Sequence, residues 1–125
     1  MKALNKPGNL DDMTFLTRLK NGYHFHVLYS FKREDKQFCL HYSISRDQEK
    51  AGTKYNLLNT YTLIIEEGIP EHNPPDEFFD SYTREERKQF NSADEALEFL
   101  KEKEKVNIKD FSAYRTLRPD KVYKN

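Results

Sequence analysis

Between residues 23 and 46 the apolar side chains recur at every second position on both sides of a charged turn, and no other stretch restricts the fold as much. Tyr23, Phe25, Val27, Tyr29 and Phe31 hold the odd positions; beyond Arg33-Glu34-Asp35-Lys36 the even positions Phe38, Leu40, Tyr42 and Ile44 take over. A period of two belongs to a strand with one buried face. Because the turn has an even length, opposed residues sum to 69 and the two apolar sets fall on one face of an antiparallel hairpin. The other face gathers His24, His26, Leu28, Cys39, His41 and Ser43.

The next alternation, Tyr55, Leu57, Tyr61, Leu63 and Ile65, predicts a strand over 55–66 that ends at Gly68 and Pro70, after a polar linker at 47–54. Ser92-Ala93-Asp94-Glu95 is a capping box, in which a hydroxyl accepts from the amide three residues on. Ala93, Ala96, Leu97 and Leu100 continue as a helical stripe, predicting a helix over 93–105. Arg87 to Phe90 reads as a short strand leading into it. Phe78, Phe79 and Tyr82 are spaced as on a short helix, and Ile108, Phe111, Tyr114 and Leu117 permit another.

Residues 9–22 admit two readings. As a helix they would have Asn9 as cap, a Leu10, Met13, Leu16 stripe and Gly22 as terminator. As a strand, 13–20 would turn back through Asn21-Gly22, the dipeptide best suited to a type I′ turn, and this reading is preferred. The expected fold is therefore α+β: one domain over 1–125, an antiparallel sheet of four or five strands, and one main C-terminal helix on its aromatic face. Flexible ends are expected at 1–8 and 118–125.

The chain has 125 residues and a mean hydropathy of -0.98, so its core has to be small, and nine Phe and eight Tyr supply it. No long apolar run and no apolar leader follow Met1, which predicts a soluble cytoplasmic protein without a membrane segment. Cys39, alone, forms neither an internal disulfide nor a thiolate zinc cluster. The zero net charge hides a division: residues 66–86 carry eight acids against Arg84 alone, between segments that are each net basic.

Signatures of catalysis are scarce. The four glycines build no phosphate-cradling loop, no serine stands in a nucleophile elbow, and the paired acids Glu66-Glu67 and Glu85-Glu86 are adjacent, which points them apart. His41-Tyr42-Ser43-Ile44 has the local form that two-histidine phosphoesterases use, but the second copy those enzymes need is missing, since His24-Phe25-His26-Val27 has a histidine where the hydroxyl belongs. His24, His26 and His41 share a strand face, with Cys39 two residues from His41, a set able to ligate zinc; the spacing matches no strong metal signature, so neither metal nor cofactor is expected.

The expected function is a non-enzymatic protein-binding module, an inhibitor or regulator of a larger partner with a basic surface. Its expected site is the acidic aromatic segment Glu71, Asp76, Glu77, Phe78, Phe79, Asp80 and Tyr82, where acids steer and an aromatic anchors. Second stands a single-stranded nucleic-acid binder, with basic residues such as Lys32, Arg33, Lys36 and Arg46 around an aromatic sheet. Third is a metal-dependent or histidine-based hydrolase.

Overall fold

The computed structural model describes residues 1–114. Strand β1 (Lys2–Ala3) is followed by helix α1 (Asp12–Lys20), the long strands β2 (His24–Arg33), β3 (Lys36–Ala51), β4 (Lys54–Pro70) and β5 (Phe79–Phe90), helix α2 (Ala93–Glu102), a 3-10 turn (Ile108–Asp110) and β6 (Ser112–Tyr114). All neighbouring strands are antiparallel in the order β1-β2-β3-β4-β5, and β6 pairs with β2 beside β1. The chain has an α+β fold, with α2 packed on the sheet.

The hairpin register is the one the alternation demands. Phe25 stands opposite Ile44, Val27 opposite Tyr42 and Arg33 opposite Lys36. The turn takes positive φ at both central residues, Glu34 (53°) and Asp35 (64°), the twist that matches two right-handed strands. Phe25, Val27, Tyr29, Leu40, Tyr42 and Ile44 enter one core with Leu63 and Ile65 of β4, Ala96 and Leu100 of α2, and Phe15 and Leu19 of α1. α2 begins where the capping box puts it: the Ser92 Oγ accepts from the Glu95 amide at 3.1 Å. It ends three residues earlier than the expected 105.

Residues 12–20 are a helix, against the preference for a strand. Asp11 caps it, accepting from the Thr14 amide at 2.7 Å, and Gly22 (φ 88°) donates to the Leu19 carbonyl in the left-handed position that closes many helices. Asn21-Gly22 thus ends a helix instead of turning a hairpin. The buried stripe is Phe15 and Leu19, while Met13 is exposed.

The aromatic segment is corrected as well. Phe79 and Tyr82 belong to β5, not to a helix, and their spacing of three comes from one extra residue, Asp80, in the β4–β5 ladder: Pro70 pairs with Phe79 but Ile69 with Ser81 and Gly68 with Tyr82. That single bulge shifts parity by one, so both rings reach the same face, with centroids 5.1 Å apart. β5 also reaches well before the short strand expected at 87–90.

The expected linker at 47–54 is mostly strand, and after the 3-10 turn the chain enters β6 rather than a longer helix. Residues 2–8, expected to be flexible, are tied to the sheet edge: Lys2 pairs with Ser30, Asn5 Oδ1 accepts from the Leu28 amide, and the Gly8 amide donates to the Phe111 carbonyl. The expected tail at 118–125 and Leu117 lie outside the described residues.

Candidate functional site

Among the described residues both helices pack on one face of the sheet; on the other, register places His26 opposite Ser43 and Leu28 opposite His41. Across the next ladder His41 faces Glu66. His26 and His41 are diagonal neighbours, as the alternation predicts, with ring centroids 5.8 Å apart. His24 takes a different partner, its Nε2 lying 2.7 Å from Ser43 Oγ. Cys39 is fully buried with Leu28 and Phe79, and burial pushes its thiol pKa up.

Part of this face is roofed by residues 71–78, which join β4 to β5. The Glu71 amide donates to the Phe78 carbonyl at 2.9 Å, closing the loop at its base. Asp76 knits the rest: Oδ1 accepts from the Phe78 amide at 3.0 Å, and Oδ2 lies 2.8 Å from His72 Nδ1. Phe79 anchors the segment by packing on Leu28 and Cys39. Glu77, held between these fixed residues, brings its carboxylate to 4.0 Å from His41 Nε2.

One donor each from His26, His41 and Glu77 therefore lies within 4.8 Å of the other two. His41 is the most constrained member. Its side chain is 9% exposed, its Nδ1 lies 3.3 Å from Glu66 Oε1, and its Nε2 is buried without a hydrogen-bond partner. A buried polar atom left unpaired costs on the order of 1–3 kcal/mol. Burial, and then repulsion from neighbouring histidines, holds His24 and His26 below the ordinary histidine pKa, which favours neutral imidazoles that can donate a lone pair.

Of the expected protein-binding residues, Phe78 (56%) and Tyr82 (45%) are exposed, whereas Phe79 is buried. Asp76 is occupied within its own loop and Glu77 faces the histidines, which leaves Glu71 and Asp80 as the acids at the surface with no ion pair among the described residues. A cavity of about 270 Å³ opens between Phe78, Pro75, Glu77, His26, Leu28 and the Leu4-Asn5 edge. Glu66 and Glu77 were invisible as companions of the histidines in sequence, because the first meets His41 only across a bulged ladder and the second only through the roof loop.

The chain matches no protein-family model, no curated protein and no solved structure. No helix among the described residues is long and apolar enough to cross a membrane.

Proposed function

We propose that this protein is a non-enzymatic binding module, an inhibitor or regulator, whose working surface is the segment from Glu71 to Tyr82 and whose partner is a protein presenting basic side chains around an apolar recess. The observation that carries the reading is the pair Phe78 and Tyr82, two large aromatic side chains left at the surface of the most acidic stretch of the chain. Exposed aromatics flanked by like charges match the division of labour at interfaces: the ring supplies the desolvated anchor and the charges speed encounter. The loop is braced by Asp76, so Phe78 is presented without a large ordering cost on binding.

The nucleic-acid reading loses its main support, because the aromatic face it needs is the one packed beneath the helices, with Phe25, Tyr29, Tyr42 and Tyr61 buried.

A photo-reactive phenylalanine analogue at position 78 tests the proposal, with one at Thr53, at the opposite end of β4, as control. In cell extract at low salt, position 78 is expected to trap one discrete protein that Thr53 does not, and the adduct should weaken when Glu71 and Asp80 are changed to Gln and Asn. Equal trapping at both positions, or an adduct indifferent to salt and to those changes, overturns it.

A further inference from the structure

We propose that His26, His41 and Glu77 form a binding site for one divalent first-row transition ion, with zinc as its probe, and that the bound ion staples the 71–78 loop to the sheet. The three residues come from β2, β3 and the roof loop, and their donor atoms converge within 4.8 Å. A tetrahedral zinc ion with bonds near 2.0–2.1 Å wants its donors about 3.3 Å apart, so the His41–Glu77 pair, 4.0 Å apart, has to close by about 0.7 Å and the widest pair by up to about 1.5 Å. Glu77 can supply most of that movement: its side chain is 54% exposed, while His41 is held by strand and neighbours.

The state of His41 is what separates this cluster from an incidental grouping. Glu66 lies against Nδ1; as the acceptor of an Nδ1–H it leaves the lone pair on Nε2, the nitrogen 4.0 Å from Glu77 Oε2. That Nε2 is buried and makes no hydrogen bond. A carboxylate behind a histidine, with the opposite nitrogen facing inward, is the arrangement that orients metal-bound imidazoles and raises their basicity. Two imidazoles and one carboxylate suit zinc, iron, cobalt or nickel far better than magnesium or calcium, which favour all-oxygen shells. Three protein ligands leave a fourth position for water, and two of the three, His26 and Glu77, line the cavity beside Phe78.

The competing explanation is a protonated His41 shared between Glu66 and Glu77 without metal. Zinc chloride titrated into the full chain against a chromophoric chelator separates the two. One equivalent should bind, and His26→Gln and Glu77→Gln should each weaken it at least tenfold. Glu66→Gln should weaken it about tenfold by loosening His41. His24→Gln and Cys39→Ser, outside the cluster, should change affinity less than twofold. His41→Ala risks unfolding a buried position, so Glu77→Gln on the exposed loop is the deciding variant. Amide exchange across 71–78 should slow when zinc is added to the unaltered chain and stay constant in Glu77→Gln. No binding at micromolar zinc, a Glu77→Gln chain that binds as before, or an equal loss in His24→Gln overturns the site. Exchange at 71–78 unmoved by bound zinc overturns the staple.

Discussion

The Tyr42 hydroxyl donates to Glu104 Oε1 at 2.8 Å, joining the middle of β3 to the second residue beyond α2. The same carboxylate accepts from both terminal nitrogens of Arg84 on β5 at 3.0 Å each. Glu104 thus ties helix end, central strand and edge strand together, and with a side chain 10% exposed it is shielded from water. Burial first, and then Glu104, raises the Tyr42 pKa above that of a free phenol. Glu104→Ala should cost roughly 2–3 kcal/mol, because it leaves a phenol and the two terminal nitrogens of a guanidinium without their acceptor, and Tyr42→Phe about 1 kcal/mol. Urea unfolding of the two variants and of their combination checks this; losses that add without coupling would show that the three groups do not act as a unit.

Both helices depend on a side-chain oxygen at their first turn. Ser92→Ala should lower stability by about 1 kcal/mol and Asp11→Ala should lower it too, since each leaves one helix-end amide to water. Thermal melting checks the loss, and Ser92→Asp should restore most of it. An unchanged melting temperature in Asp11→Ala would argue against a helix at 12–20.

Asp47 sits in the β3 bulge and accepts from Thr60 Oγ1, Thr62 Oγ1 and Gln89 Nε2. Burial by itself would raise its pKa, but the three hydrogen bonds together outweigh it and hold the carboxyl below the ordinary range. A carboxyl with a lowered folded pKa binds fewer protons than in the unfolded chain. Its stabilisation is therefore complete above the unfolded value, near about pH 4, and is lost as pH falls through the folded value. Asp47→Asn should lower stability at pH 7 by about 1–2 kcal/mol and reduce the drop seen on acidification below pH 4, measured by urea unfolding across pH. Parallel acid profiles for the two chains would rule out this contribution.

At Gly68 a β-carbon would run into the Ser81 carbonyl oxygen, which belongs to backbone and cannot swing aside. Gly68→Ala should force β5 away from β4 and cost roughly 1–3 kcal/mol. Gly52→Ala, in the β3–β4 turn, meets no atom and suffers only from its positive φ, so it should cost less. Chemical denaturation of both variants gives the order; a milder effect at Gly68 than at Gly52 would refute the close approach.

The β2–β3 hairpin and α2 were legible because their determinants are local. Alternation about an even turn sets which residues oppose one another, and a capping box followed by a 3.6-residue stripe sets where a helix begins and which side it buries. The sharing of one face by His26 and His41 followed from the same rule. α1 was not legible: Asn21-Gly22 suits a hairpin turn and a helix terminus equally, and what decides is that Phe15 packs on Phe25 and Phe111, the latter almost the length of the chain away.

The partners of the histidines were out of reach for the same reason. A β3–β4 hairpin closed by Ala51 and Lys54 would, with unbroken pairing, set His41 opposite Ile64; the bulge between Arg46 and Gln48 slides the ladder by two residues and delivers Glu66 instead. That slide preserves parity, so the apolar and polar faces survive it, but it changes which carboxylate a histidine meets. Face is a property of successive residues along one strand and follows from their alternation alone. Register past a bulge, and the folding of residues 71–78 back over the sheet, depend on hydrogen bonds and packing between segments far apart in the chain, so the convergence of His26, His41, Glu66 and Glu77 arises from the folded arrangement and not from local pattern.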